Sequence, residues 1–290
     1  QGRDMASRPA TLLGIAAASG AALLGWAGLG CPRPVPTSSG LAWVRRMRDG
    51  EGRHMRVLQT GSVLQSATYL SPGERMVAPF AYQREFMRAF DLVPDASDVL
   101  VVGGGGFGFP KMVAVARPGL RLVVAELEPS VVEAARRWFF LDEARALMAR
   151  AGGSMDVVCD DGRRVLDACA PGSLDVVVLD AFVGDEPAAS LATAEAAASA
   201  RGALRDAGVL LANVVSRDDG CDLGFLRDLV ASLRTAFAEV LVVPASDEDL
   251  GGEDNYLVVA GARGLRADGA VAYDEAFLGT VRHDADASRA

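Results

Sequence analysis

From Leu41 onward, short aliphatic runs alternate with stretches of helical spacing, as a parallel α/β sheet requires. Five runs predict core strands: residues 98–102 (DVLVV), 120–125 (LRLVVA), 155–159 (MDVVC), 174–179 (LDVVVL) and 208–214 (GVLLANV). Helices are expected between them. That over residues 129–140 opens on Pro129 and places Val132, Ala135 and Phe139 at helical spacing, with proline tolerated in a first turn. After a helix over 223–237, the runs 239–244 (EVLVVP) and 255–260 (NYLVVA) leave little room for a helix between them, so they should pair antiparallel. Upstream, residues 56–70 form two strand-like pieces broken at Thr60-Gly61, a hairpin signal. Residues 81–90 read as a helix with Phe86 and Phe90 on one face.

The first forty residues follow another pattern. Residues 11–30 are uncharged, rich in Ala and Gly, and about long enough to cross a bilayer. A membrane anchor, a signal peptide and a packed helix all fit. Arg45, Arg46, Arg48, Arg53 and Arg56 follow the run, whereas only Arg3 and Arg8 precede it, which would place the following chain in the cytoplasm, tethered to the membrane face. The Pro/Ser-rich residues 32–40 read as a linker. Three regions result: residues 1–40 as hydrophobic segment and linker, 41–80 as a small β region, and 81–290 as the catalytic domain.

Composition narrows the partners. The net charge is −9 with pI near 4.9, and no Lys/Arg cluster is large enough to track a phosphate backbone, so nucleic acid is not expected. An acidic chain suits a cationic substrate. Cys31, Cys159, Cys169 and Cys221 form no C-x-x-C pair, and only His54 and His283 could join them. No metal site is expected, and the thiols read as reduced and mostly buried.

Chemistry gathers at strand ends. Gly103-Gly104-Gly105-Gly106-Phe107-Gly108 follows the first core strand and satisfies G-x-G-x-x-G through Gly103, Gly105 and Gly108, where a nucleoside must approach the backbone closely. Glu126 ends the second strand, where a carboxylate accepts ribose hydroxyls. Asp160-Asp161-Gly162 ends the third, placing a carboxylate near an adenine amino group, or else capping a turn. Asp180 ends the fourth, where an acid orients a protonated amine or takes its proton. Together the elements predict a Rossmann-like class I S-adenosylmethionine-dependent transferase fold, a mostly parallel seven-stranded sheet with a small N-terminal β-hairpin region.

The segments Val63-Leu64-Gln65-Ser66, Tyr82-Gln83, VLVVGGGG at 99–106, Glu126-Leu127-Glu128, Asp161-Gly162 and DVVVLD at 175–180 resemble the spermidine synthases (polyamine aminopropyltransferases) in order and spacing. The resemblance covers residues 57–215. It implies that Gln65, Glu126 and Asp161 hold the nucleoside, that Tyr82 and Gln83 line the amine pocket, and that Asp180 is the catalytic base. It also implies decarboxylated S-adenosylmethionine as co-substrate, a small-molecule amine acceptor and a homodimer. Two departures stand out. The family's G-G-G-D-G has Gly106 and then Phe107 here, and its D-S-S/T-D-P has become Asp180-Ala181-Phe182-Val183, with Asp185 or Glu186 the candidate for the second carboxylate. A methyltransferase using S-adenosylmethionine is therefore a rival, although Val101 stands where such enzymes usually carry an acid. A nucleoside-binding protein without catalysis is a third reading, and an NAD-dependent dehydrogenase a fourth, disfavoured by the antiparallel end of the sheet.

Overall fold

The computed structural model describes residues 31–183, 186–216, 223–245 and 254–287. The apolar run at 11–30, Asp185 and Cys221 lie outside the described residues. The main sheet has seven strands in the order β12-β13-β11-β8-β5-β6-β7: β5 (Asp98–Val102), β6 (Arg121–Ala125), β7 (Ser154–Val158), β8 (Leu174–Leu179), β11 (Leu204–Ser216), β12 (Glu239–Pro244) and β13 (Asp254–Gly261). Neighbours pair in parallel from β11 to β7, and β13 runs antiparallel to both β11 and β12. The fold class is therefore the one expected from the apolar runs. Short β9 (Phe182–Val183) and β10 (Glu186–Pro187) form a small ribbon after β8.

Alternation along the strands explains their unbroken hydrophobicity. Val99 and Val101 of β5 face one apolar cluster, while Leu100 and Val102 face another. Both sides of a parallel sheet are covered by helices, so both registers must be apolar. Full burial of each such side chain contributes about 1.5–3 kcal/mol.

The N-terminal region is a four-stranded antiparallel sheet, β1 (Arg33–Thr37), β2 (Gly40–Arg48), β3 (His54–Thr60) and β4 (Val63–Tyr69). The expected hairpin is β3–β4, turning at Gly61 with φ of 56°. The expected linker instead contains β1. Pro34 and Pro36 pair opposite Trp43 and Leu41, and an edge strand tolerates prolines because its outer side needs no ladder donors. One face of this sheet joins the main core through Val35, Ala42, Val44 and Leu58.

Three helical expectations change in detail. The helix over 81–90 is interrupted: Ala81–Glu85, a 3-10 turn at Phe86–Arg88, then Ala89–Leu92, with Phe86 and Phe90 both buried. The Pro129–Trp138 helix stops before Phe140, whose φ is 63°. Val131 and Ala134 join Ala135 on its buried side, while Val132 is only partly covered. The cysteines differ too: Cys31 and Cys159 are exposed and Cys169 is half-buried, because 159 falls just past the end of β7. No helix among the described residues is long and apolar enough to cross a membrane.

Lys111, on the Gly108–Ala116 helix, is fully buried, and its Nζ donates to Thr68 Oγ1 of β4 at 2.6 Å. Burial pulls its amine from 10.5 down to about 7. The unfolded chain therefore binds an extra proton between those values, and stability should rise with pH across that window. The prediction is that Lys111→Met raises stability by roughly 2–4 kcal/mol near neutral pH and flattens that rise. Denaturant melts over the same pH range check it; a variant no more stable than the parent refutes it.

Candidate active site

A cleft of about 190 Å³ opens where the C-terminal ends of β5, β6 and β8 meet the N-terminal sheet. The strand order reverses between β5 and β8, and open α/β sheets place ligands at such a switch point. Gln65, Tyr82, Gln83, Gly103, Gly105, Glu126, Asp161, Gly162 and Asp180 all line the cleft. Gly108 and Asp160 stand outside its lining: Gly108 opens the helix behind the loop against the Gln83 carboxamide, and Asp160 pairs with Arg164.

The glycine loop is shaped by contact. Gly103 has a φ of 98°, and a Cβ there would collide with the Asp180 carbonyl, so only glycine fits. A Cβ on Gly106 would meet Ser66 Oγ and, at 2.8 Å, the Phe139 ring. The space that a larger residue at 106 would need is already filled.

The loop's N–H groups from Gly103 to Phe107 are engaged internally. Gly103 donates to the Ala125 carbonyl at 2.9 Å, and Gly104 and Gly105 both donate to Glu126 Oε2 at 2.9 Å. Gly106 donates to Ser66 Oγ at 2.8 Å and Phe107 to the Gly104 carbonyl at 2.7 Å. A phosphate would need such amides free. Glu126 Oε1 accepts one further bond, from Glu128 N at 3.0 Å, and keeps capacity for a ribose hydroxyl.

Glu128 accepts from the backbone N of Ser38 at 2.8 Å and from its hydroxyl. This brings the β1–β2 turn, with Thr37 and Ser39, to the rim. Asp161 caps the Gly162–Asp167 helix through Oδ1, accepting from Arg164 N at 2.9 Å, so the capping role coexists with an Oδ2 that accepts no hydrogen bond among the described residues. Arg163 also lines the cleft, but Asp167 and Asp284 neutralise it, with Thr193 adding a bond.

Asp180 lies at the base. Its Oδ1 accepts from Asn213 Nδ2 of β11 at 3.1 Å, and the Gln83 carboxamide and Tyr82 hydroxyl also donate to it. Burial outweighs these donors and pushes its carboxyl up to about 7. Burial, then the nearby Asp180 charge, holds the Tyr82 phenol well above its ordinary range. Gln83 Oε1 and Asn213 Oδ1 are buried without a partner among the described residues. Asn213 was missed in the sequence, although it is a lone polar residue inside an apolar strand run. Ser66, Glu128, Arg163 and the Ser38-Ser39 turn were also assigned no role there.

No family model matches the chain. Over 156 residues, 54% of its length, it is 25% identical to a polyamine aminopropyltransferase of Vibrio vulnificus strain CMCP6, and it spans about half the length of that relative (50%). Its fold is similar to that of a probable spermidine synthase from Corynebacterium glutamicum ATCC 13032, with TM-score 0.69, 19% identity, and 88% and 96% of the two chains covered. A spermidine synthase from Thermotoga maritima gives TM-score 0.51 and 17% identity over 80% of this chain and 79% of that one. The chain is thus spermidine-synthase-like in sequence and fold, at a divergent distance.

Glu126→Gln would replace one acceptor oxygen by a donor and break part of the loop clasp. Methylthioadenosine affinity is expected to fall by about 1–3 kcal/mol, the worth of charge-assisted hydrogen bonds. Calorimetry on the folded variant measures this, and unchanged affinity would remove Glu126 from the nucleoside site.

Proposed function

We propose that this protein is a spermidine-synthase-like transferase that moves an aminopropyl group from decarboxylated S-adenosylmethionine to an amine acceptor, with Asp180 as the base. The observation that carries this is a carboxyl raised to about 7 at the base of a cleft. Such a group is poised to exchange a proton with an amine at neutral pH.

The acceptor's neutral nitrogen attacks the methylene carbon beside the sulfonium. A C–N bond forms, the C–S bond breaks with its electrons going to sulfur, and methylthioadenosine leaves. Asp180 takes the proton that the new ammonium releases. Tyr82 and Gln83 orient Asp180 and border the amine, and Asn213 fixes the Asp180 Oδ1 from the opposite side. Glu126 and Asp161, each with an oxygen able to accept more, suit ribose hydroxyls and the adenine amino group; Gln65 lies beside them. The internally bonded glycine loop argues against NAD, whose pyrophosphate would need those N–H groups.

One observation favours a second reading, methyl transfer from S-adenosylmethionine. Gly106 offers no carboxylate to an aminopropyl amine, and Ser66 and Phe139 occupy the adjoining space. Both chemistries displace sulfur from a sulfonium carbon, so the same residues serve either.

Asp180→Asn should lower turnover by about 10²–10⁴ with nucleoside affinity kept. The folded carboxyl holds its proton up to about 7, against 3.8 for an ordinary aspartate. The charge therefore costs stability as pH rises through that window, and the Asn variant should be at least as stable as the parent at neutral pH. Parental turnover is expected to rise with pH through about 7. Steady-state rates with both donors side by side check the assignment. Discrimination between them should be weak, within about tenfold; strict use of the carboxylated donor with a methylated product would overturn the leading reading.

A further inference from the structure

We propose that Arg163 is a positioning residue for the nucleoside: it braces residues 188–191, one wall of the cleft, against the Gly162–Asp167 helix, and the C-terminal segment locks that brace through Asp284. The nucleoside part rests on the transferase reading above; the brace itself does not. Ala188, Ser190 and Leu191 line the cleft together with Asp161, Gly162 and Arg163. A Cβ on Gly162 would collide with the Val102 side chain, so this helix sits tightly against β5 and gives the brace a fixed base. From there the Arg163 side chain, only 14% exposed, crosses to the wall. Its Nη1 donates to the Ser190 carbonyl at 3.1 Å and to Thr193 Oγ1 at 3.2 Å. Nη1 and Nη2 fork onto the two Asp284 oxygens at 2.7 and 3.0 Å, and Nε donates to Asp167 of its own helix at 3.0 Å. Bidentate pairs of this kind fix orientation as well as charge. An arginine placed to receive a substrate anion keeps donors for it. Here all three nitrogens are committed to the protein, which makes the role a mechanical one.

Asp284 comes from a segment 121 residues further along the chain, and that segment is anchored before it arrives. Thr280 N and the Arg282 guanidinium both donate to Asp228 of the Gly224–Leu233 helix, and Arg282 N donates to Ser232 Oγ at 3.0 Å. Arg282 then bridges to Thr193, its carbonyl accepting from Ala194 N at 2.8 Å. Two residues on, Asp284 accepts from Thr193 Oγ1 at 2.7 Å as well as from Arg163, and its own N–H donates to Glu195 at 3.1 Å. Thr193 is buried and also caps the Ala194–Ala203 helix. Three parts of the chain thus meet at one point beside the cleft: the helix after β7, the wall and the C-terminal segment. Ala188, Ala189 and Ser190 have small side chains that bury little apolar area, so polar contacts decide where this wall stands.

The test uses the full chain. Hydrogen exchange over residues 188–193 reads the wall without any ligand. Arg163→Gln and Asp284→Ala are each expected to exchange about tenfold faster there. Arg164→Gln, which removes a neighbouring charge paired with Asp160 instead, should exchange no faster. Methylthioadenosine affinity by calorimetry should fall about tenfold in the first two variants and hold in Arg164→Gln. In steady state the loss should appear in the donor KM, with kcat within about threefold of the parent, because Asp180 is untouched. If Asp284 acts through Arg163, the double variant should be no worse than Arg163→Gln alone. Arg163→Lys keeps the charge and loses the fork, and should fall between parent and Arg163→Gln. Unchanged exchange in both variants, unchanged affinity despite faster exchange, or losses that add in the double variant would overturn the inference. A parent chain that binds no methylthioadenosine would instead sink the transferase reading, and the exchange comparison would still decide the brace.

Discussion

The Glu126 carboxylate is the constraint on which the rest of the cleft depends. It accepts three backbone N–H groups, from Gly104, Gly105 and Glu128. Charge-assisted bonds of this kind are short and about twice as strong as neutral ones. They lock the β5 loop to the end of β6. Through Glu128 the connection continues to Ser38 and draws the N-terminal sheet over the rim. The same bonds turn the Gly104 and Gly105 donors inward, so a sequence that spells a dinucleotide fingerprint keeps those two amides from a pyrophosphate. Glycine spacing alone carries no such information; where each N–H points is decided by the side chains around it.

What was legible in the sequence follows from this division. The core strands could be read because a sheet covered on both faces must be apolar at every position, as 174–179 is apart from Asp175. Glu126, Asp161 and Asp180 could be placed because strand ends are marked by where an apolar run stops. β1 was hidden because Pro34 and Pro36 read as a linker, and only the presence of β2 beside them makes an edge strand. Asp160 was equally plausible in one dimension, but its neighbour faces the cleft and it faces Arg164. Asn213 was hidden because its role depends on β11 lying next to β8, a pairing across 33 residues.

The contrast between the two aspartates at opposite ends of β8 separates architecture from chemistry. Asp175, near the start of the strand, is also buried, yet it accepts from Ser97 N at 2.8 Å and Asp98 N at 3.0 Å and pairs with Arg205. Against the upward push of burial, these donors hold its carboxyl below the ordinary range. That is how a structural carboxylate is kept ionised. Asp180, just past the far end of the same strand, is treated in the opposite way. Its donors are neutral carboxamide and hydroxyl groups, no cation is among the causes of its shift, and its carboxyl rises. Two amide oxygens, on Gln83 and Asn213, are left without donors among the described residues, each at a cost of about 1–3 kcal/mol. A cap or a loop brace would gain nothing from such an arrangement, since an arginine or a backbone N–H would satisfy it better. A cluster of acceptors around a nearly neutral acid is what a cationic, donor-rich group would complete. The electrostatics that raise the Asp180 carboxyl are therefore the same property that would let the cleft hold an amine and take its proton.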